Sequence, residues 1–375
     1  MISLNKPWII ESDIDWAVKA LRKGDLNGEG HYSQLLSAKL CDLLKTRFVL
    51  PVSSGTHALE LAVMAFGLKP GDEVIMPSFT FSACATAVMR VGAVPVFADI
   101  EGKFLGLDPN SAANVITRYT KAIMVVHYGG CAAEIERLKH LAFNSGLFLI
   151  EDAAHCLGAS FKDKPLGTFG DCGCFSLHST KNVTVGEGGI FVCQDEKVYR
   201  TAQIIRDKGT NRQAFLRGDV DKYTWVSQGS SFLLADVLSA LALGQLDRLE
   251  KITQLRQRIA QKYLTGLSGF SDCIVLPTVD PIRQTNWHTF FVKLKDPNRR
   301  DFVISELRKQ GVGAAFHYVP LHLSPMGQGL GYKKGDFPIT EATAESLIRL
   351  PIYPQMKKQE VETVVRACQM VFGLL

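Results

Sequence analysis

Residues 122–152 read AIMVVHYGGCAAEIERLKHLAFNSGLFLIED, and the alternation within this stretch decides the fold. Two short apolar runs, AIMVVHY (122–128) and LFLIED (147–152), flank a segment whose apolar residues recur at helical spacing. That segment stops at Gly146, a residue suited to the left-handed position just past a helix end. The same texture extends toward the N-terminus. FVLPV (48–52), DEVIMP (72–77) and VPVFADI (94–100) are short runs rich in β-branched or aromatic residues. Between them lie the helix candidates THALELAVMAFG (56–67) and FSACATAVMRVG (81–92). Strand and helix in turn, with strands this apolar, predict an α/β fold: a mostly parallel sheet covered by helices on both faces.

After residue 230 the pattern changes. A long helical periodicity runs from Leu233 to Leu267 and carries a charged face. Beyond it WHTFFVKL (287–294) and GAAFHYV (313–319) read as strands, DFVISELRKQ (301–310) and KQEVETVVRACQMVF (358–372) as helices. The predicted division is a large domain with its N-terminal segment over 1–244 and a smaller α+β C-terminal domain over 245–375. A chain of 375 residues is long enough for two such cores.

The charge balance narrows the partners. The formal net charge of +5 is spread without a dense Lys/Arg block, which argues against a nucleic-acid or membrane surface. No uninterrupted apolar run reaches membrane-spanning length, and the start MISLNKPWIIESDID lacks a basic, apolar leader. Nine cysteines at irregular spacing fit small core residues in a reducing compartment, so the expected location is cytoplasmic. Cys172 and Cys174 form a close pair without a matching second pair, so no metal site is expected. Asn182-Val183-Thr184 fits a glycosylation acceptor, a reading that a cytoplasmic location leaves idle.

Four separated pieces carry chemistry. In VSSGTHALELA a strand runs through Ser53 and Ser54 into Gly55 and Thr56 and opens a helix, whose free N–H groups and dipole suit an anion. Asp152 ends an apolar strand, where α/β folds bind ligands, and could pair with a protonated pyridine nitrogen. Glu151 beside it should point to the opposite face, and His155 three residues on could face the same ligand. Lys181 lies in a turn-rich stretch after Ser176 and before Gly186-Glu187-Gly188-Gly189; held among apolar groups, such an amine loses its proton more readily. Phe81 follows the second strand and could stack on a flat ring. Taken singly, each has an ordinary structural reading: helix cap, strand-end cap, buried histidine, solvated lysine, core aromatic. Taken in order, they are the parts a pyridoxal-phosphate site needs.

The motifs SSGTHALELA, PGDEVIMPSFTF, EDAAHCLGA, GDCGCFSLHSTKN and GEGG resemble those of the DegT/DnrJ/EryC1/StrS sugar aminotransferases, fold-type I pyridoxal-phosphate enzymes, and the resemblance runs from Asn5 to the C-terminal helix. It implies that Lys181 is the Schiff-base lysine and Asp152 the partner of the pyridinium nitrogen. Phe81 and His155 then flank the ring, and Ser54, Gly55, Thr56 and Ser176 hold the phosphate. The resemblance also implies a homodimer with shared active sites. Much of the family reaches the partner's cofactor phosphate with an Asn; here that position is Ser231, in Gly229-Ser230-Ser231.

RDKGTNRQAFLRGDVDKYTW (206–225), GSSFLLAD (229–236) and FHYVPLH (316–322) resemble the branch that aminates dTDP-4-keto-6-deoxyglucose with glutamate, giving dTDP-4-amino-4,6-dideoxygalactose for surface polysaccharide. In that reading Tyr318 and His322 line the sugar site or lie in the core. Other nucleotide keto-sugars (3-keto, or UDP- or GDP-linked) and a non-catalytic cofactor-binding regulator are the alternatives. A nicotinamide dehydrogenase lacks its glycine fingerprint here, and a related dehydratase group has His where Lys181 stands.

Overall fold

The computed structural model describes residues 1–24 and 26–375. Its strands in chain order are β1 (Phe48–Val52), β2 (Glu73–Pro77), β3 (Val94–Ala98), β4 (Thr120–Val126), β5 (Phe148–Asp152), β6 (Ser160–Phe161) and β7 (Lys164–Pro165). They continue with β8 (Cys172–Ser176), β9 (Gly189–Cys193), β10 (Ile274–Val275), β11 (Arg283–Gln284), β12 (Phe290–Leu294) and β13 (Leu347–Leu350). The five runs picked out before residue 152 are all strands, with ends shifted by at most two residues.

Seven strands form the main sheet, in the order β1-β9-β8-β5-β4-β2-β3. Every neighbouring pair is parallel except the two made by β9, which runs antiparallel to both β1 and β8. Strand side chains alternate, and this sheet sends the two sets into separate cores. Ile75, Ile123 and Val125 face one core with the helices Glu11–Lys23, His31–Leu44, Ile135–Ser145 and Asp236–Leu246. Val74, Met76, Ala122 and Met124 face the other, under Gly55–Ala65, Ala83–Arg90 and Glu196–Arg206. Both faces of the sheet are therefore apolar and covered, as predicted. Gly146 ends its helix in the left-handed region (φ 65°), which a side chain would strain.

The C-terminal part keeps its own core. Residues from Ile259 to Phe372 pack around β12, flanked by β10 and β13, and against the helices Leu249–Leu267, Arg300–Lys309 and Lys358–Phe372. Three expectations are corrected here. The periodicity from 233 to 267 is two helices, Asp236–Leu246 and Leu249–Leu267, so residues 244 and 245 fall inside the first of them. At the interruption Arg248 turns back, pairing with Asp13 and lying over the Trp8 ring. GAAFHYV makes no strand beyond a single bridge from Ala315 to Arg349. Finally, the chain start is divided: Ile2 exchanges backbone bonds with Gly311 and Gly313 (2.7 and 2.9 Å), whereas Asn5 bonds Thr180 and the helix Glu11–Lys23 packs with the large body.

Among the described residues no helix is long and apolar enough to cross a membrane, and no group of three or more His, Cys, Asp or Glu is placed to hold a metal ion. The nine cysteines are free thiols.

Candidate active site

The carboxyl ends of the main-sheet strands open into one cavity of about 600 Å³. Ser54, Gly55 and Thr56 line it just past β1, Thr80 and Phe81 past β2, Asp152 at the end of β5, and Ser176 at the end of β8. Lys181 reaches it from the loop between β8 and β9. The opposite wall comes from elsewhere: Leu4 and Asn5 at the chain start, then His288, Thr289, His317, Tyr318, Arg349 and Ile352.

At the floor the helix Gly55–Ala65 begins with Ser54, whose Oγ accepts the His57 N–H at 3.0 Å. Ser54 is thus the helix cap, while Gly55 and Thr56 present the helix start to the cavity. Glycine is required by crowding here. A Cβ on Gly55 would stand 2.8 Å from the Ser176 Cβ, and one on Gly189 would stand 2.2 Å from the Ser54 carbonyl oxygen. The starts of the helix and of β9 and the end of β8 therefore interlock at backbone distance, leaving N–H groups and hydroxyls as the lining.

Asp152 is buried, and both its oxygens are held. Oδ1 accepts the Ala154 N–H (2.9 Å) and Oδ2 the Cys84 thiol (2.9 Å), which also contacts the Thr80 hydroxyl at 3.3 Å. Burial and the Asp152 carboxylate raise the Cys84 thiol well above its usual pKa, so it remains a proton donor. Glu151 points the other way, as strand alternation requires. It accepts from Gly167, Phe169 and Gly170 N–H and from the His127 ring, fixing the turn before β8.

The Lys181 loop is pinned on every side. Lys181 N–H donates to the His178 carbonyl (2.9 Å), Ser179 to Gly186, and Leu177 to Gly188. The Asn5 amide donates to the Thr180 carbonyl (2.7 Å), and Asn182 bridges the Asn286 carbonyl and the His288 ring. The amine itself makes no ion pair among the described residues. Burial is the largest influence and draws its pKa down to about 8; Asp152 works against that shift, and Arg349 with it.

Phe81 is 61% exposed, an open face on the cavity where an unoccupied core position would be closed. His155 accepts the Gly129 N–H and stacks on His288 at 4.2 Å between centroids. Burial and then the nearby Lys181 hold both imidazoles well below their usual pKa, so they are neutral. Tyr318 lines the cavity, edge-on to Phe79 and Tyr128.

Two expected site residues lie elsewhere. His322 is fully buried outside the lining, with Nδ1 on the Ser78 hydroxyl (2.7 Å) and Nε2 on Glu341 (3.0 Å); it ties the strand-end segment after β2 to the helix Pro338–Ser346. Its reading as a sugar contact is corrected to that structural one. Ser231 is exposed, bridged to Asp207, and absent from this chain's cavity. Conversely Asn5, His288, His317 and Arg349 were not singled out in the sequence. They sit in irregular segments or a four-residue strand, and carry no spacing that would have flagged them.

Comparison with known proteins identifies the family and the fold. The profile of the DegT/DnrJ/EryC1/StrS aminotransferase family matches residues 8–369. The Bacillus subtilis spore coat polysaccharide biosynthesis protein SpsC is 32% identical, covering 96% of this chain and 94% of its own. The aminotransferase TlmJ from Streptoalloteichus hindustanus superposes with a TM-score of 0.92 at 27% identity, covering 100% of this chain and 99% of its own. The same values hold for Spr1654 from Streptococcus pneumoniae in its PLP form, so this fold is one that carries pyridoxal phosphate. The chain belongs to the DegT/DnrJ/EryC1/StrS family of pyridoxal-phosphate-dependent aminotransferases.

Proposed function

We propose that the protein moves an amino group from glutamate to C4 of dTDP-4-keto-6-deoxyglucose, forming dTDP-4-amino-4,6-dideoxygalactose for a surface polysaccharide. The observation that carries the chemistry is the convergence on one cavity of a buried amine, a fixed carboxylate, an open aromatic face and a helix start. The sugar rests on the branch motifs of residues 206–225, 229–236 and 316–322, together with the likeness to SpsC, a spore coat polysaccharide biosynthesis protein.

Pyridoxal phosphate, when bound, supplies an electrophilic carbon and an electron-accepting ring. Gly55, Thr56 and Ser176 would hold its phosphate with N–H and hydroxyl donors, and the Ser54 cap keeps that helix start in place. Asp152, oriented by Ala154 and Cys84, would keep the ring nitrogen protonated. Phe81 would cover one face of the ring, and His155, backed by His288, the other. Burial draws Lys181 down to about 8, so a useful fraction of the amine is neutral at physiological pH, where it would serve as the nucleophile that holds the cofactor and as the base that moves protons beside it.

A homodimer completes this reading. Phe215, Leu216, Tyr223, Trp225 and Val226 form an exposed apolar stretch, with Trp225 75% exposed, beside the loop that carries Ser231. Ser231 reaches the partner's phosphate cradle in that arrangement.

Purified protein incubated with dTDP-4-keto-6-deoxyglucose and glutamate tests the proposal, with the product assigned by NMR. An axial amine at C4 is expected. No C4 amine, or an equatorial one, defeats the sugar assignment.

A further inference from the structure

The cavity is lined largely by groups that donate hydrogen bonds: the helix start at Gly55 and Thr56, the Ser176 hydroxyl, Lys181 and Arg349. His288 stands among them, and its protonation follows from its neighbours, because a carbonyl oxygen only accepts and a backbone N–H only donates. The Asn286 carbonyl takes the side-chain NH2 of Asn182 at 3.3 Å, so the Asn182 oxygen is the end that faces His288. That oxygen only accepts, so the Nδ1 of His288, 3.1 Å away, carries the proton. The ring is neutral, since burial and then the charge of Lys181 hold its pKa well below the usual value. The lone pair of His288 is therefore on Nε2. That nitrogen makes no hydrogen bond among the described residues and stays accessible on the cavity side.

His155, stacked on His288, is in the opposite state. Its Nδ1 accepts the Gly129 N–H at 3.2 Å, so its own proton sits on Nε2. One imidazole of the pair donates and the other accepts. Asn286, fully buried, holds this arrangement. Its side-chain NH2 donates to the carbonyls of His155 and Leu157, both at 2.7 Å, and its oxygen accepts the His288 N–H at 3.0 Å. Gly130 makes room for that side chain: a Cβ there would stand 1.9 Å from the Asn286 oxygen. Asn286 thus fixes the backbones of both histidines and, through Asn182, the proton on one of them. The charges that bear on His288 are those of Lys181, Arg256, His317 and Arg349, so the free lone pair lies among cations and donors.

We propose that His288 is the acceptor for the reacting amine, its Nε2 taking a hydrogen bond from Lys181 and then from the amino donor that replaces it, an inference that rests on the aminotransferase reading and deepens it. An amine that attacks a carbon must turn its lone pair toward that carbon and its N–H bonds away. One fixed acceptor does this by holding an N–H. A protonated imidazole in the same place would repel an ammonium group and offer it nothing to bind. The series Asn286, Asn182, His288 keeps an acceptor where the neighbours donate. No proton passes to His288: a ring so reluctant to be charged orients the amine without taking its proton.

The test labels the histidines of the holoenzyme isotopically and reads which ring nitrogen bears the proton from long-range proton–nitrogen NMR spectra. Loss of signals in His288→Gln and His155→Gln assigns the two rings. His288 should be neutral and protonated at Nδ1, and His155 neutral and protonated at Nε2, from about pH 8 down to about pH 6. A proton on Nε2 of His288, or an imidazolium there, overturns the proposal. The contact with the amine is read separately. His288→Phe keeps a ring against His155 and removes the acceptor. It should slow the single-turnover reaction with glutamate about 10- to 100-fold. It should also move the inflection for capture of pyridoxal phosphate by the apoprotein to lower pH, because the Lys181 ammonium loses an acceptor. His288→Gln, whose amide oxygen can accept, should recover part of both. A folded His288→Phe protein with wild-type rate and inflection overturns the proposal. If that variant does not fold, Asn182→Leu, which deprives Nδ1 of its acceptor, is read in the same way. The ring protons are observed without turnover, so a protein that shows them and reacts with glutamate, yet leaves the keto-sugar untouched, overturns the sugar assignment alone.

Discussion

The strand-end wall of the cavity and the wall facing it meet around the same amine, yet they are assembled differently. The first is regular: β1, β2, β5 and β8 deliver Ser54 to Thr56, Thr80 and Phe81, Asp152, and Ser176 with Lys181 to the cavity at the carboxyl edge of the main sheet. Its polar groups are held by hydrogen bonds, as in Asp152 between Ala154 and Cys84. The second is gathered from the chain start, a loop near residue 288, the segment 315–318 and β13, and it includes a guanidinium with donors to spare. A preorganised wall suits steps common to both half-reactions. A wall with unused donors suits two substrates that differ in shape and charge.

Substitutions can break that division. The largest effect is expected on the regular wall at Lys181→Ala, which should lower turnover about 10⁴-fold or more, measured as steady-state amine formation. Full activity in that variant would end the assignment of the lysine. Asp152→Asn should cost about 10²- to 10³-fold in both half-reactions. A loss in only one of them would mean that the strand-end wall is not shared machinery.

The pH dependence sharpens the same point. Burial disfavours the protonated amine, so the neutral form of Lys181 grows as pH rises through about 8, against about 10.4 for a solvated lysine. The rate at which apoprotein captures pyridoxal phosphate should climb through that range. Because Asp152 pulls the amine's pKa upward, Asp152→Asn should shift the inflection to lower pH. An inflection near 10 in wild type contradicts the burial of this amine.

Gly55→Ala comes next. The added Cβ falls 2.8 Å from that of Ser176, and the forced separation should weaken cofactor retention by about 1–3 kcal/mol, read from equilibrium dialysis. The smallest effect on activity is expected at His322→Ala. Losing its bonds to Ser78 and Glu341 should lower stability by about 1–3 kcal/mol in thermal unfolding while the KM for the sugar stays constant. A raised KM would return His322 to the site.

The difference between the walls also explains what could be read in advance. The strands were legible because both faces of the sheet are covered, so their apolar runs are continuous. Asp152 and Lys181 each had an ordinary reading singly, and it was their order with Ser54–Thr56 and Phe81, together with the family resemblance, that marked them as residues of one cavity. The reversed direction of β9 was not, since a buried strand carries no mark of its orientation. The break at Asp247-Arg248 was hidden because the periodicity continues across it, and its cause, Asp13 and Trp8, lies at the other end of the sequence. His288 and Arg349 belong to no motif, and His317, though inside FHYVPLH, was not itself marked; only tertiary contact brings the three to one cavity. His322 was left between the sugar site and the core because a histidine near a cavity and a histidine behind its wall look alike in sequence.

Strand β9 has a bearing on how the protein is made. It pairs with β1 from Phe48–Cys193 to Val52–Gly189, so the two halves of the phosphate cradle are joined by a contact that spans most of the large sheet's length in sequence. Contacts of such separation form late and slowly, after the loop between them has closed. The chain must extend past Cys193 before β9 can pair with β1 and complete the cradle. Acquisition of yellow colour during refolding would then report no earlier event than the pairing of β9 with β1, so the cofactor serves as a clock for the closing of the cradle.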